Sequence, residues 1–150
     1  MAGADFPMPG RVHRCTCRVL YGDTDSGGVV YYANYLRYFE QGRTELMREH
    51  ICSYRELEEQ GLILPVVECQ CRYKISARYD DLLLIETAVA EVKAFSCRFH
   101  YRILRETDGK LLAAGATVNA AVDRSGKLIR LPTDLLEKLR AFGLPGETGP

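Results

Sequence analysis

Two carboxylates stand one residue apart in Tyr21-Gly22-Asp23-Thr24-Asp25, and Ser26-Gly27-Gly28 follows them directly. After Val29-Val30 the spacing of apolar residues turns helical. Such a junction can do chemistry. A helix N-terminus presents N–H groups with no intrahelical partner and the positive end of the backbone dipole. Gly27 and Gly28 let the chain take positive φ and let another group approach closely. A carboxylate just upstream then sits beside a place where charge on an oxygen is stabilised, which pairs a base or nucleophile with oxyanion donors. The plain alternative is that Asp23, Asp25 or Ser26 caps the helix. The residues alone leave both readings standing.

The elements that must position this loop follow from periodicity. Arg11 to Tyr21 alternates as a strand leading into the loop, and Tyr31 to His50 reads as one long amphipathic helix. Its expected inner stripe is Tyr35, Leu36, Phe39, Arg43, Leu46, Met47 and His50, opposite Arg37, Gln41, Thr44, Arg48 and Glu49. Gly42 inside it costs about 1 kcal/mol relative to alanine and points to close packing. A short helix follows, with Ser53 as cap, Glu56 at its third position and Gly61 as stop. Four strands are expected over Leu62 to Ser76, Leu82 to Val92, Ser96 to Arg105 and Lys110 to Val122, the last pair joined by Asp108-Gly109. A terminal helix covers Leu135 to Phe142. This order predicts an α+β domain, an antiparallel five-stranded sheet curved around one dominant central helix.

The chain of 150 residues is expected to form one domain over 11–142, with loose stretches at 1–10 and 143–150. Lys plus Arg and Asp plus Glu are 20 each, so no global field favours nucleic acid or an anionic bilayer. No apolar run is long enough to span a membrane and residues 1–10 make no signal peptide, so a cytoplasmic location is expected. The six cysteines include Cys15/Cys17 and Cys69/Cys71, spaced to share a sheet face as small hydrophobes. No Cys-x-x-Cys knuckle occurs and His13, His50 and His100 are scattered, so no metal is expected.

The run Y-x-D-T-D-x-x-G-V-V-Y-x-A-N-Y-L-x-Y-F-E-x-x-R-T-E, from Tyr21 through Arg43 and on to Glu45, resembles the hot-dog-fold acyl-CoA thioesterases. The similar branch holds 4-hydroxybenzoyl-CoA thioesterase and the Tol–Pal-associated thioesterase. Weaker echoes lie at Leu64-Pro65-Val66-Val67 and Ala77-Arg78-Tyr79-Asp80-Asp81. The resemblance implies a hot-dog fold, pairing of sheets into dimers and dimers of dimers, and active sites at the subunit boundary. It implies hydrolysis of an acyl-CoA thioester with no cofactor, coenzyme A being part of the substrate. Asp25 falls on the catalytic acid, as nucleophile or general base, and the Tyr32 N–H on the carbonyl-polarising donor. Tyr21 matches a tyrosine near that acid. Lys93 matches a basic position for the phosphates of coenzyme A, with Arg78 as second candidate and Lys74 and Arg72 behind it. Pro65, Val66 and the helix start are expected to line the acyl slot. One departure is Tyr32 itself, where Tol–Pal-associated members carry histidine.

Asp23 is expected to brace the turn, and Glu40 and Arg43 to form a buried pair. Glu40 is the fallback acid, since another hot-dog branch uses a helical glutamate. Two other functions compete: a hot-dog dehydratase, which would need a histidine this loop lacks, and a non-catalytic module binding acyl-CoA or acyl carrier protein.

Overall fold

The computed structural model describes residues 6–143. Most of the two terminal stretches read above as loose therefore lies outside the described residues. Five strands, β1 (His13–Arg18), β2 (Val66–Tyr73), β3 (Leu82–Val92), β4 (Ser96–Arg105) and β5 (Leu111–Ala120), form one sheet in the order β1-β3-β4-β5-β2. All neighbours are antiparallel. Three helices accompany them: α1 (Asn34–His50), α2 (Tyr54–Glu59) and α3 (Thr133–Gly143).

The central helix α1 lies on one face of the sheet because two glycines allow it. A Cβ on Gly42 would meet Thr87 Oγ1 and would stand 2.6 Å from Ile85 Cγ2, so the helix backbone rests almost on β3. A Cβ on Gly115 of β5 would stand 2.6 Å from the Phe39 ring. Phe39 in turn stacks on Tyr101 of β4 at 4.4 Å between centroids and 9° between planes. Tyr35, Tyr38, Phe39, Leu46 and Met47 are buried in this seam with Leu83, Ile85, Ile103 and Leu112. Three details of the expected stripe differ, the first being that His50 at its far end is exposed. Leu36 is exposed and Tyr38 takes a buried place, because the Tyr38 hydroxyl is drawn in to Asp23.

Helix α2 starts as its sequence predicts, with Glu56 N–H donating to Ser53 Oγ at 3.1 Å, and Gly61 follows it at φ +86°. On the opposite face of the sheet, Phe6 is buried in a small cluster with Ala114 and Ala116. His100 Nδ1 donates to Pro7 O at 2.6 Å beside it.

The segment between β1 and α1 is not free loop. A single 3₁₀ turn (Tyr21–Asp23) is followed by two bridges, Thr24 to Val30 and Val29 to Arg78. Val30 N–H donates to Ala77 O at 2.9 Å. The connection between β2 and β3 thus serves as a splint. Asp80 takes φ 70°, a conformation that aspartate tolerates, so that Arg78 N–H can reach Asp81 Oδ2 at 2.9 Å.

Candidate active site

Asp23 is the brace of the loop. It is buried, and its Oδ2 accepts from Leu20 N–H at 2.9 Å and from the Tyr38 hydroxyl at 3.0 Å. Its carbonyl accepts from Tyr31 N–H and from Asn34 Nδ2, both at 2.9 Å. Asp23 is thus tied to the loop and to α1 through both its carboxylate and its carbonyl. Asp25 differs. Its Oδ1 accepts from Gly27 N–H at 2.8 Å and from Val29 N–H at 3.4 Å. Its Oδ2 has no hydrogen-bond partner among the described residues. Gly27 is needed for this, since a Cβ there would stand 3.1 Å from Asp25 Oδ1. Gly28, at φ +82°, completes the turn.

The helix begins later than its periodicity predicts. Tyr31 N–H donates to Asp23 O, the first helical residue is Asn34, and Ala33 is the N-cap with no side-chain cap bond. Asp23, Asp25 and Ser26 therefore do not cap α1. Tyr32 precedes the first helical turn, and its N–H and that of Ala33 donate to nothing among the described residues, as expected where a helix opens.

Asp25 and Tyr32 line one cavity of about 230 Å³ with Val29, Tyr35, Tyr73 and Ser76. The aromatic wall is mutually fixed. Tyr73 OH donates to Tyr32 O at 3.0 Å, Ala77 N–H donates to Tyr35 OH at 3.0 Å, and the Tyr35 and Tyr73 rings meet edge to face at 5.2 Å. Burial pushes the Tyr35 and Tyr73 phenols above their ordinary range, so both stay protonated at neutral pH. Tyr35, Tyr73 and Ser76 were not singled out in the sequence. Tyr73 sits at the end of β2, and only its pairing with β5 brings that end back to the helix start.

Lys74, one of the expected cations, lines the Asp25 cavity too, whereas the remaining expected site residues lie outside it within one chain. Tyr21 is exposed, with its ring against Tyr79 at 5.4 Å. Arg78 is exposed but bridged to Val29, hence next to the Asp25 loop. Lys93 lies at the turn between β3 and β4, 3.5 Å from Glu91 Oε1. Pro65 lines a second cavity of about 280 Å³ with Glu40 and Tyr54, and Val66 a third of about 300 Å³ with Leu36, Phe39 and Cys69.

The expected Glu40–Arg43 pair is absent among the described residues. Glu40 is exposed, whereas Arg43 is buried and donates to Tyr54 OH at 3.0 Å and Tyr101 OH at 3.1 Å. At i and i+3 the glutamate points outward while the arginine reaches the phenols that β4 and α2 supply. The cysteines are all free thiols. Burial pushes Cys15 and Cys71 up to about 11 and Cys97 up to about 12, so at neutral pH these offer no thiolate nucleophile.

A five-stranded antiparallel sheet packed on a long helix, with an acid loop at the helix start, defines a hot-dog-fold protein. Residues 19–139 match the model of the thioesterase-like superfamily, and the chain belongs to that family. It is an enzyme of the thioesterase class. The chain is 44% identical over 112 residues to the acyl-CoA thioesterase YbgC of Haemophilus influenzae, covering 74% of this chain and 80% of that protein. Among solved structures it superimposes on a hypothetical protein of Thermus thermophilus with a TM-score of 0.84 at 28% identity, over 89% of this chain and 99% of that one. It also superimposes on a 4-hydroxybenzoyl-CoA thioesterase complexed with 4-hydroxybenzoyl-CoA (TM-score 0.79, 25% identity, 87% and 99% covered). Among the described residues no helix is long and apolar enough to cross a membrane.

Proposed function

We propose that this protein hydrolyses the thioester of an acyl-CoA to a free acid and coenzyme A, using Asp25 and the Tyr32 N–H. The observation that carries the reading is the division of labour at Asp25. One carboxylate oxygen is anchored by Gly27 and Val29, the other has no hydrogen-bond partner among the described residues, and Asp25 lines the same cavity as Tyr32 at the helix start. A thioester carbonyl is already electrophilic because sulfur donates poorly into it. It needs its oxygen polarised, a task suited to the unpartnered N–H at Tyr32. It also needs a nucleophile aimed at carbon, which Asp25 supplies by direct attack or by deprotonating water. No metal or organic cofactor takes part in this step. A backbone donor also makes the tyrosine at position 32, in place of histidine, compatible with turnover.

Arg78, bridged to the loop, is the better placed of the two cations proposed for the phosphates of coenzyme A, and Lys93 is the other. The acting unit is a homo-oligomer, a dimer or dimer of dimers, in which Pro65 and Val66 of one copy complete the slot of another. Tyr21 is a positioning residue at the loop's outer side. The test is release of free thiol from a panel of acyl-CoA and acyl-carrier-protein esters. Turnover is expected for acyl-CoA and a loss of about 10²–10⁴-fold in Asp25→Asn. Binding of acyl-CoA without hydrolysis by the unaltered protein, or full activity in Asp25→Asn, overturns the reading.

A further inference from the structure

Helix α1 has a second end, and a group of side chains there is unused by the hydrolytic chemistry. The two ends are about 25 Å apart at 1.5 Å per residue. His13 on β1, and Glu49 and His50 in the last turn of α1, each offer one ligand-type atom, and these atoms all lie within 4.8 Å of one another. His13 Nε2 stands 3.0 Å from Glu49 Oε2, and His50 Nε2 stands 3.7 Å from the same oxygen. The two imidazoles meet edge to face at 5.6 Å.

His13 is not a satisfied core histidine. It is only 5% exposed, yet its sole hydrogen bond among the described residues is the one to Glu49, and its Nδ1 is buried with no partner. Buried polar side chains are ordinarily paired at every polar atom. What this one has is a single oriented contact, directed into the cluster. Glu49 and His50 are exposed, so the open side of the cluster meets solvent. Donors bound at about 2.0–2.2 Å around a tetrahedral ion stand roughly 3.3 Å apart. Only Glu49 and His50, both at a helix end, have to shift to reach that spacing.

We propose that His13, Glu49 and His50 bind a divalent transition-metal ion of the zinc class, which ties the start of β1 to the end of α1. Two imidazoles and one carboxylate suit zinc, cobalt, nickel or copper, whereas magnesium and calcium take oxygen ligands. Water from the open side supplies the remaining coordination. The site lies at the negative end of the helix dipole, where a cation is favoured. Arg11 is a like-charged neighbour. It is held over the Phe142 ring at 4.7 Å, and Phe142 packs 4.9 Å from His50, so it moderates the affinity without filling the site. The role is structural, a clip across two elements remote from Asp25.

The test uses the full chain, stripped with chelator and titrated calorimetrically with zinc chloride, with magnesium chloride as control. One zinc ion per chain and a raised melting temperature are expected, with no magnesium binding. Cobalt chloride is expected to give visible d–d bands without an intense sulfur-to-cobalt absorption, which separates this site from the cysteines. His50→Ala and Glu49→Gln alter exposed side chains and avoid the folding risk of changing His13. Each is expected to lose roughly tenfold or more in zinc affinity, as removal of one of three ligands demands, with thioester hydrolysis unchanged. Absence of zinc binding, unaltered affinity in both variants, or a thiolate band with cobalt overturns the proposal. Loss of hydrolysis in Asp25→Asn bears on neither outcome.

Discussion

In the proposed reaction the two oxygens of Asp25 have different duties, and substitutions can separate them. Asparagine keeps an acceptor for Gly27 and Val29 but replaces the reactive oxygen, so Asp25→Asn is expected to melt like the parent while losing turnover. Alanine removes the acceptor as well, so Asp25→Ala is expected to lose turnover and about 1 kcal/mol of stability, read by urea denaturation. Equal stability in the two variants would mean that the anchor at Oδ1 does nothing. Position 32 invites a similar separation. If the main-chain N–H is the donor, Tyr32→Phe is expected to keep kcat within a few-fold, because it keeps the N–H and the ring's packing on Tyr31 and Tyr73 and removes only the hydroxyl. Tyr32→Pro, which deletes that N–H, is expected to lose about 10²–10³-fold in kcat with retained circular dichroism. A severe loss in Tyr32→Phe would move the chemistry to the side chain. The bracing role of Asp23 was legible in the sequence, although its partners include Asn34 and Tyr38, 11 and 15 residues further on. The fate of Arg43 was not, since its partners Tyr54 and Tyr101 come from other elements.

At the scale of elements, order and type of every strand and helix were readable from periodicity, and so were the ends of β3 and β4, while other ends were not. The strand read as Leu62 to Ser76 is continuous over Val66–Tyr73, with a separate bridge from Ile63 to Val122, and the helix starts at Asn34 rather than Tyr31, whose N–H donates to Asp23 O. Periodicity carries no information about such hydrogen bonds. It did carry the packing at Gly42, and that contact has a measurable consequence. Alanine is the better helix former by about 1 kcal/mol. Its methyl group, however, would press on Ile85 and Thr87 of β3, two β-branched side chains in the buried middle of the sheet. Overpacking of this kind costs typically about 1–3 kcal/mol. Gly42→Ala is therefore expected to lower the urea midpoint despite its propensity gain. A raised midpoint would show that α1 can ride up off β3 at little cost.

At the scale of the whole molecule the sheet is open at both edges, β1 and β2, and the β2 edge carries exposed apolar residues. Strand β2 pairs with β5 on one side only, and Val66, Val67 and Tyr73 along it are exposed, with Leu36 of α1 close to Val66 around one cavity. A long, partly apolar edge strand invites pairing unless it is covered, and a formal net charge of zero sets no global repulsion against a second copy. Antiparallel pairing of two β2 strands about a twofold axis places the start of one beside the end of the other. The end of β2 is Tyr73, which lines the Asp25 cavity, and its start is Val66, preceded by Pro65. Pairing would thus carry Pro65 and Val66 of the second copy toward the Asp25 site of the first. Such pairing would account for the separate cavities that these groups occupy in one chain. Val67→Glu puts two like charges across such an edge. It is expected to shift the protein toward monomer in light scattering, and to lower the specific rate of thioester hydrolysis in proportion to the monomer fraction. Raising the protein concentration should restore both. A monomeric variant that hydrolyses at the full rate would mean that each chain carries a complete site and that Pro65 and Val66 serve only the packing of their own edge.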